Sequence, residues 1–188
     1  VNFKFTDYLT VEDNKFSFSI DMGLVRKNAV MGNFHRLTNC IFEYINDGTS
    51  WAISESTNAI IENVLFQYRD WFPSSGWQPH GGYSGQELPE AEWGVAPSLG
   101  NNPNIGDESW YAPVWRYVTV KDSWTGGAFA GRGSLVEYSR FENLYDGCDC
   151  SGIQRNAHSV IGSTSRYNWI INLPRQNGIR FDSAQGGN

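Results

Sequence analysis

The stretches GCDCSGIQRNA at residues 147–157 and PRQNGIRFDSA at residues 174–184 share a Gly-Ile-polar core. Their isoleucines, Ile153 and Ile179, are 26 residues apart. A related run, GGAFAGR, stands at residues 126–132. A short motif that returns at such an interval is typical of repeat proteins, in which each unit stacks on its neighbour. The motif therefore predicts that other strands recur with a similar period.

A second series of segments recurs with a similar period. Each segment carries one apolar anchor followed by a polar residue, and the anchors are separated by 24, 24, 54, 21 and 26 residues. The anchors are Phe18, Phe42, Phe66, Val120, Phe141 and Tyr167. The long interval contains a Gly- and Pro-rich segment, and removing roughly 30 residues from it restores the period. Two strand series in a fixed register predict a stack of coils.

The predicted fold is all-β, a parallel solenoid of about 20–26 residues per coil that forms one domain over residues 1–188. Alternation with a period of two places Ile153 and Ile179 inside the stack. Their neighbours Gln154 and Arg180 then point outward. Residues 70–112 interrupt the repeat and are predicted to form a loop insertion.

Composition restricts the partners that the protein could bind. The 188 residues carry a formal charge of −6, with 18% charged and 15% aromatic residues and 8 Trp. Few charges and many aromatic residues disfavour disorder. The lack of a basic cluster disfavours nucleic acid as a partner. No run of 18 apolar residues is present, so no membrane-spanning segment is predicted. A neutral or sparsely charged sugar polymer fits this composition.

Three cysteines, Cys40, Cys148 and Cys150, leave at least one thiol unpaired. Cys148 and Cys150 are too close in sequence for an easy disulfide. A Cys-x-Cys pair with Cys40 could hold a metal, but no Cys-x-x-Cys or His spacing supports zinc. We therefore expect small buried side chains and no resident metal or cofactor.

The phrases YSRFENLYDG at 138–147, CSGIQ at 150–154 and RYNWIINLPRQNGIRFDS at 166–183 resemble coils of bacterial right-handed parallel β-helix proteins. These belong to the pectate-lyase-like superfamily and are found beside polysaccharide-degrading enzymes. The resemblance covers roughly residues 10–70 and 112–183. It implies a right-handed β-helix and an extracellular, cell-surface or periplasmic location. The superfamily includes lyases, glycosidases and non-catalytic adhesins, so the fold alone does not fix the activity.

The insertion is rich in aromatic side chains that could stack on the flat apolar faces of sugar rings. A loop of this length in a compact fold is usually functional or disordered, and its Trp content disfavours disorder. We expect sugar contacts there and on the neighbouring coils, with packing of the loop against the coils as the alternative. The candidate substrate-binding residues are Trp71, Trp77, His80, Trp93, Trp110, Trp124, Gln154 and Arg180.

Glycoside hydrolysis needs two carboxyl groups on one face, one protonated and one ionised. The candidates are Asp146, Asp149 and Asp182, which lie in or beside the Gly-Ile segments. The resemblance supports two of them, because some β-helix glycosidases carry an acid in D-x-x-G-I and G-I-x-F-D phrases. These match Asp149 in DCSGI and Asp182 in GIRFD. The alternative is that these aspartates only cap turns.

Two other functions remain open. A polysaccharide lyase would need a base such as Lys121 or Arg180, and a cation such as Ca²⁺ to neutralise the uronate. Arg155 is a weaker candidate, since strand alternation points it inward. A non-catalytic module for glycan binding or extracellular structure needs neither. The sequence begins without Met, and neither end resembles a cap. We therefore expect a piece of a longer chain whose ends are capped by neighbouring segments or subunits.

Overall fold

Short β-strands separated by tight corners form the regular part of the protein. A computed structural model describes residues 8–19, 33–45, 57–68, 111–123, 127–129, 131–144, 151–156, 161–174 and 177–182. These residues contain no helix. The strands are β1 (Thr10–Glu12), β2 (Lys15–Ser19), β3 (Arg36–Thr38), β4 (Ile41–Ile45), β5 (Ile60–Glu62), β6 (Leu65–Gln67), β7 (Val114–Arg116), β8 (Thr119–Ser123), β9 (Ala128–Phe129), β10 (Leu135–Glu137), β11 (Arg140–Leu144), β12 (Ser151–Asn156), β13 (Thr164–Arg166), β14 (Trp169–Ile171) and β15 (Asn177–Asp182).

The strands pair in three sheets, and all of their pairings are parallel. The first sheet has the order β1-β3-β5-β7-β10-β13, and the second has the order β2-β4-β6-β8-β11-β14. The third sheet contains β9, β12 and β15, in that order. Consecutive strands of the chain therefore belong to different sheets, and the first and second sheets each gain one strand per repeat. This architecture confirms the prediction of an all-β protein with parallel strands, and it is compatible with a β-helix-like solenoid.

We name six repeats by the described residues within 8–19, 33–45, 57–68, 111–129, 131–156 and 161–182. Repeats 1 to 3 each contribute one strand to the first sheet and one to the second, and repeats 4 to 6 also contribute one to the third. The predicted insertion, residues 70–112, lies outside the described residues except for Tyr111 and Ala112. Tyr111 forms parallel bridges to Thr57 and Arg132, so this residue of the predicted insertion belongs to the regular pairing.

The register of the second sheet confirms four of the six predicted anchors. Phe42 pairs with Phe66, Phe66 with Val120, and Val120 with Phe141. All four side chains are at most 1% exposed. A single apolar column therefore runs through the repeats, as the period predicted.

The first and last anchors were wrong. The partner of Phe42 in β2 is Phe16, not Phe18, and the partner of Phe141 in β14 is Ile170, not Tyr167. Phe16 and Phe18 have the same parity on one strand, so alternation alone does not distinguish them. Tyr167 lies outside the strand at a corner and is 65% exposed.

Left-handed residues mark the corners and recur with the same spacing as the strands. Within the described ranges, every non-glycine residue with positive φ falls into one of three columns, one position per repeat. The first column is Tyr8, Phe34, Asn58, Ala112, Gly133 and Gly162; the second is Asp13, Asn39, Asn63, Tyr117, Tyr138 and Tyr167; the third is Tyr44, Tyr68, Asp122, Asn143 and Asn172. Asn and Asp tolerate this conformation, which explains their frequency at these corners.

The Gly-Ile motif lies in the third sheet, where Ile153 pairs with Ile179 as predicted. Ile153 also pairs with Ala128. Aligning the related run GGAFAGR at 126–132 with CSGIQRN at 150–156 predicts that Gly152 lies opposite Ala128, so this alignment was wrong by one residue. The glycine is required by close packing: a Cβ on Gly152 would lie 2.7 Å from the carbonyl oxygen of Gly178.

Candidate functional site

The predicted catalytic acids are not brought together by the described residues. Asp146 and Asp149 lie outside them, and Asp182 is described only by its backbone, at the end of β15. In the parallel register, the residue opposite Asp182 is Asn156. An amide, not a second carboxyl group, therefore holds the neighbouring strand position.

The predicted sugar-binding residues are described at only two positions. Trp71, Trp77, His80, Trp93, Trp110 and Trp124 all lie outside the described residues. Arg180 is half-buried and lies opposite Gln154 in the register. Gln154 itself is only 2% exposed, and its Oε1 accepts a hydrogen bond of 2.9 Å from the Ser151 hydroxyl. The prediction that Gln154 is open to a ligand is therefore wrong, because buried polar side chains on this strand bind each other.

Exposed aromatic side chains cluster at one corner of repeats 4 to 6. Tyr117, Tyr138 and Tyr167 stack along the second column, with ring centroids 5.5 and 5.1 Å apart. Each is about half exposed or more, and Trp169, two residues after Tyr167, is 66% exposed. We call these four residues the aromatic corner. An exposed group of this kind marks an interaction surface more often than isolated apolar residues do.

The geometry of the aromatic corner decides which atoms it presents. Stacking covers the ring faces of Tyr138 on both sides, so its edge and hydroxyl are the parts that face outward. The guanidinium of Arg166 lies 5.8 Å from the centre of the Tyr167 ring. Trp169 has no ring partner in the parts of the chain that the structure describes. The corner therefore combines hydroxyl groups with one accessible indole, a combination suited to sugar hydroxyls and apolar C–H patches.

A ladder of alternating charges runs beside the aromatic corner on the first sheet. Glu62, Arg116, Glu137 and Arg166 hold equivalent positions in β5, β7, β10 and β13. Both arginines contact the Glu137 carboxylate at 2.7 Å. Hydrogen bonds from Arg116 and then from Arg166 hold the pKa of the Glu137 carboxyl below its ordinary value. This carboxylate therefore serves as an ion-pair partner for the two arginines. It is a poor general acid, because a carboxyl with a lowered pKa carries no proton to donate near neutral pH.

Arg155, a minor candidate for lyase chemistry, points into the interior as alternation predicted. It is 2% exposed, and it donates hydrogen bonds to the hydroxyls of Ser134 and Ser165, both at 2.6 Å, and to the Thr164 carbonyl. Burial lowers its pKa to about 10. Its bonds to neutral oxygens give it a structural role within repeats 5 and 6.

Cys40 is a buried free thiol, in agreement with the prediction of a small interior side chain. Burial raises its pKa, which disfavours the reactive thiolate. Cys148 and Cys150 lie outside the described residues. Over the described ranges, no group of three or more His, Cys, Asp and Glu side chains is arranged to hold a metal ion. No helix long and apolar enough to cross a membrane occurs in the same ranges.

The aromatic corner was missed in the sequence although a signal was present. A charged residue followed by Tyr occurs at 116–117, 137–138 and 166–167, with spacings that match the intervals between repeats. The spacing of the apolar anchors predicted an interior position for Tyr167 instead. Residues at the corners recur with the same period as residues in the strands, so the period alone does not show which of the two a given residue occupies.

Comparisons with known proteins add no relative. No protein family, curated protein or solved structure matches this chain.

Proposed function

We propose that the chain is a right-handed parallel β-helix of the pectate-lyase-like type. The proposal is supported by two features that recur together in successive repeats: left-handed residues at the corners, which form three columns, and strands that pair in parallel sheets. Connections between parallel strands of one sheet are right-handed in nearly all proteins, which gives the proposed hand. An extracellular or periplasmic location follows from the same resemblance.

We infer further that the protein binds a neutral or weakly charged polysaccharide through the aromatic corner. The single observation that carries this proposal is the row of exposed Tyr117, Tyr138 and Tyr167 beside Trp169. The three tyrosines recur about once per repeat, so an extended polymer lying along the stack would meet equivalent hydroxyls in succession. The acidic charge of the chain, −6, disfavours a strongly anionic polymer.

Hydrolysis by paired aspartates remains a prediction that the described residues support less than binding. Strand β12 carries the chain about 16 Å from Ser151 to Asn156, and Asp182 lies opposite Asn156. The segment that contains Asp146 and Asp149 precedes Ser151 in the chain. Carboxyl groups of glycosidases must lie within about 5–9.5 Å of each other. The register therefore does not by itself bring Asp182 to these acids.

Affinity electrophoresis in gels cast with soluble neutral polysaccharides tests the binding proposal. We expect retardation of the wild-type protein and a loss of about tenfold or more in affinity for a Tyr167→Ala/Trp169→Ala variant. Tyr8→Ala is the matched control, because Tyr8 is 69% exposed and stacks on Phe34 at a different corner. Equal retardation of the double variant and the wild type would refute the aromatic corner as the binding surface.

A cleavage assay on the same polysaccharides separates binding from catalysis. New reducing ends that disappear in Asp182→Asn would establish hydrolysis, and absorbance from unsaturated sugars would establish a lyase. Retardation without either product supports a non-catalytic binding module.

A further inference from the structure

We propose that the aromatic corner binds a straight, neutral, β-1,4-linked glycan that lies along the stack with one sugar per repeat. The linkage and register of the glycan go beyond the proposed binding function, on which they rest. They are suggested by the spacing of the exposed rings. The ring centroids of Tyr117, Tyr138 and Tyr167 are 5.5 and 5.1 Å apart. These distances are close to the usual spacing of paired strands, about 4.8 Å.

The three tyrosines form a regular row. Neighbouring rings are inclined to each other by only 18° and 13°. The backbones match as well, since the φ angles of Tyr117, Tyr138 and Tyr167 are 55°, 51° and 56°. With rings and backbones aligned, we expect the hydroxyl groups to recur at nearly the same interval as the ring centres. Each hydroxyl can donate and accept a hydrogen bond, so a ligand along the row would meet one such group in every repeat.

A second row of side chains runs beside the tyrosines on the second sheet. Thr119, Arg140 and Trp169 each lie two residues after a tyrosine and pair with one another in register. Arg140 and Trp169 are exposed, and Thr119 is partly exposed. Within this row only Trp169 offers a broad apolar ring face, whereas Arg140 lies 2.7 Å from the Glu142 carboxylate. We therefore expect a sugar to stack at repeat 6 and polar contacts to dominate at repeats 4 and 5.

The regular interval of the row favours one type of linkage. In a β-1,4-linked chain of glucose, mannose or xylose, both bonds that join each ring to its neighbours are equatorial, so the chain is a straight ribbon. Each sugar then advances the chain by about one ring length, which is comparable to the strand spacing of about 4.8 Å. In an α-1,4-linked chain one of the two bonds is axial, so the chain coils away from a straight row. The corner therefore suits β-1,4-linked chains better than α-1,4-linked ones.

The row of tyrosines stops on the side of repeat 3. The equivalent corner residue there is Asn63, whose side-chain amide donates a hydrogen bond of 2.9 Å to Asn39. The strand partner of Thr119 in that repeat is Leu65. In this direction, the sugar beside repeat 4 is therefore the last one that meets a tyrosine. With Trp169 as the stacking platform, three successive sugars would contact repeats 6, 5 and 4.

Isothermal titration calorimetry with oligosaccharides of one to four sugars tests this register. In at least one β-1,4-linked series, of glucose, mannose or xylose, we expect the affinity to rise through the third sugar. The α-1,4-linked glucose series should show no such rise. Trp169→Ala should weaken the binding of every length, because it removes the stacking platform.

Tyr117→Phe is the decisive variant, because it keeps the ring stack and removes one hydroxyl group. It should weaken binding of the trisaccharide by about two- to tenfold and leave binding of the disaccharide unchanged. Tyr8→Phe is the matched control, since Tyr8 is also exposed but stacks on Phe34 at a different corner. It should bind all lengths as the wild type does.

The outcomes separate the register from the function on which it rests. A gain in affinity at the third sugar that Tyr117→Phe removes supports the register. Equal affinity for the α- and β-linked series overturns it and leaves the aromatic corner as a general glycan-binding surface. A Tyr117→Phe variant that binds the trisaccharide like the wild type, or weakens all lengths alike, also overturns it. If polysaccharides retard the protein in gels but no β-1,4-linked oligosaccharide binds, the linkage is wrong. If no polysaccharide retards the protein, the proposed function itself fails and the register fails with it.

Discussion

Replacing Gly152 by alanine tests why the Gly-Ile motif recurs. The new Cβ would lie 2.7 Å from the Gly178 carbonyl oxygen and 3.3 Å from a methyl group of Leu173. Carbon and oxygen atoms normally approach to about 3.3 Å, so the strands would have to separate by roughly 0.6 Å. Five register pairs join β12 to β15 and resist this shift. We expect a loss of about 1–3 kcal/mol in the free energy of unfolding, typical of an overpacked interior.

Gly178→Ala is the matched control, one repeat further along the same motif. Its Cβ would approach Ile170 at 3.4 Å, an ordinary contact, and among the described residues no backbone atom other than those of its chain neighbours lies within 4 Å of it. Neither glycine has positive φ, so conformational freedom does not distinguish them. Alanine at 178 should leave stability unchanged or raise it by up to about 1 kcal/mol, because it restricts the unfolded chain.

Urea unfolding followed by tryptophan fluorescence and circular dichroism measures the difference. The expected order of stability is Gly178→Ala at or above wild type, then wild type, then Gly152→Ala. Equal stability of the two variants would show that steric contact between repeats is not the reason for glycine, and the packing argument for the motif would fail.

Two further predictions concern the ladder and the core. Glu137→Gln should make the free energy of unfolding less dependent on pH in the acid range. The pKa of the Glu137 carboxyl is lowered in the folded protein, so the stabilisation that this carboxylate provides is fully present above the ordinary value of 4.5. That stabilisation is lost as pH falls through the lowered native value. Unfolding as a function of pH checks this, and an unchanged acid limb would contradict it. Phe66→Ala removes a fully buried ring stacked on Phe42 at 5.0 Å and should cost about 3–5 kcal/mol. A loss below about 1 kcal/mol in urea unfolding would contradict the placement of Phe66 in the core.

The period of the repeat could be read from the sequence because side chains in one column must keep similar size and polarity. Phe42, Phe66 and Phe141 are easy to recognise for this reason. The Gly-Ile segments around Ile153 and Ile179 can be aligned with each other in only one way.

The end repeats gave less information. Phe16 and Phe18 have the same strand parity in repeat 1, and Tyr167 lies only three residues before the true column member Ile170, so the period alone did not select the right residue.

The candidate site was harder to predict because it depends on which residues lie at the corners between strands, and strand alternation does not identify them. Gln154 shows one limit. Alternation assigns it to the outward face, but it does not reveal that the position is covered and hydrogen-bonded to Ser151. Tyr138 shows another, since only the register identifies it as one member of an exposed stack. Sequence alternation predicts direction, whereas exposure depends on what neighbouring segments cover.

The composition of the second corner column argues that the aromatic corner is specialised. Asn39 and Asn63 occupy this left-handed position in repeats 2 and 3 and bond each other at 2.9 Å, an arrangement that suits both backbone and side chain. Tyrosine occupies the same position in repeats 4 to 6. For a bulky side chain, the left-handed conformation costs about 1–2 kcal/mol. Tyr8, Tyr44 and Tyr68 adopt the same conformation at other corners, so what distinguishes the aromatic corner is a row of three exposed, stacked rings in successive repeats.

Tyr138→Asn tests whether this cost serves binding. The variant loses two ring contacts, each worth about 0.5–1.5 kcal/mol. It also removes the cost of holding a bulky residue in the left-handed conformation, which is of similar size. We therefore expect unfolding stability within about 1 kcal/mol of wild type and reduced retardation in polysaccharide gels. Tyr68→Asn, which breaks the Tyr44 stack in the third column, should leave retardation unchanged. A Tyr138→Asn variant that is strongly destabilised yet binds normally would assign the tyrosine stack to folding alone.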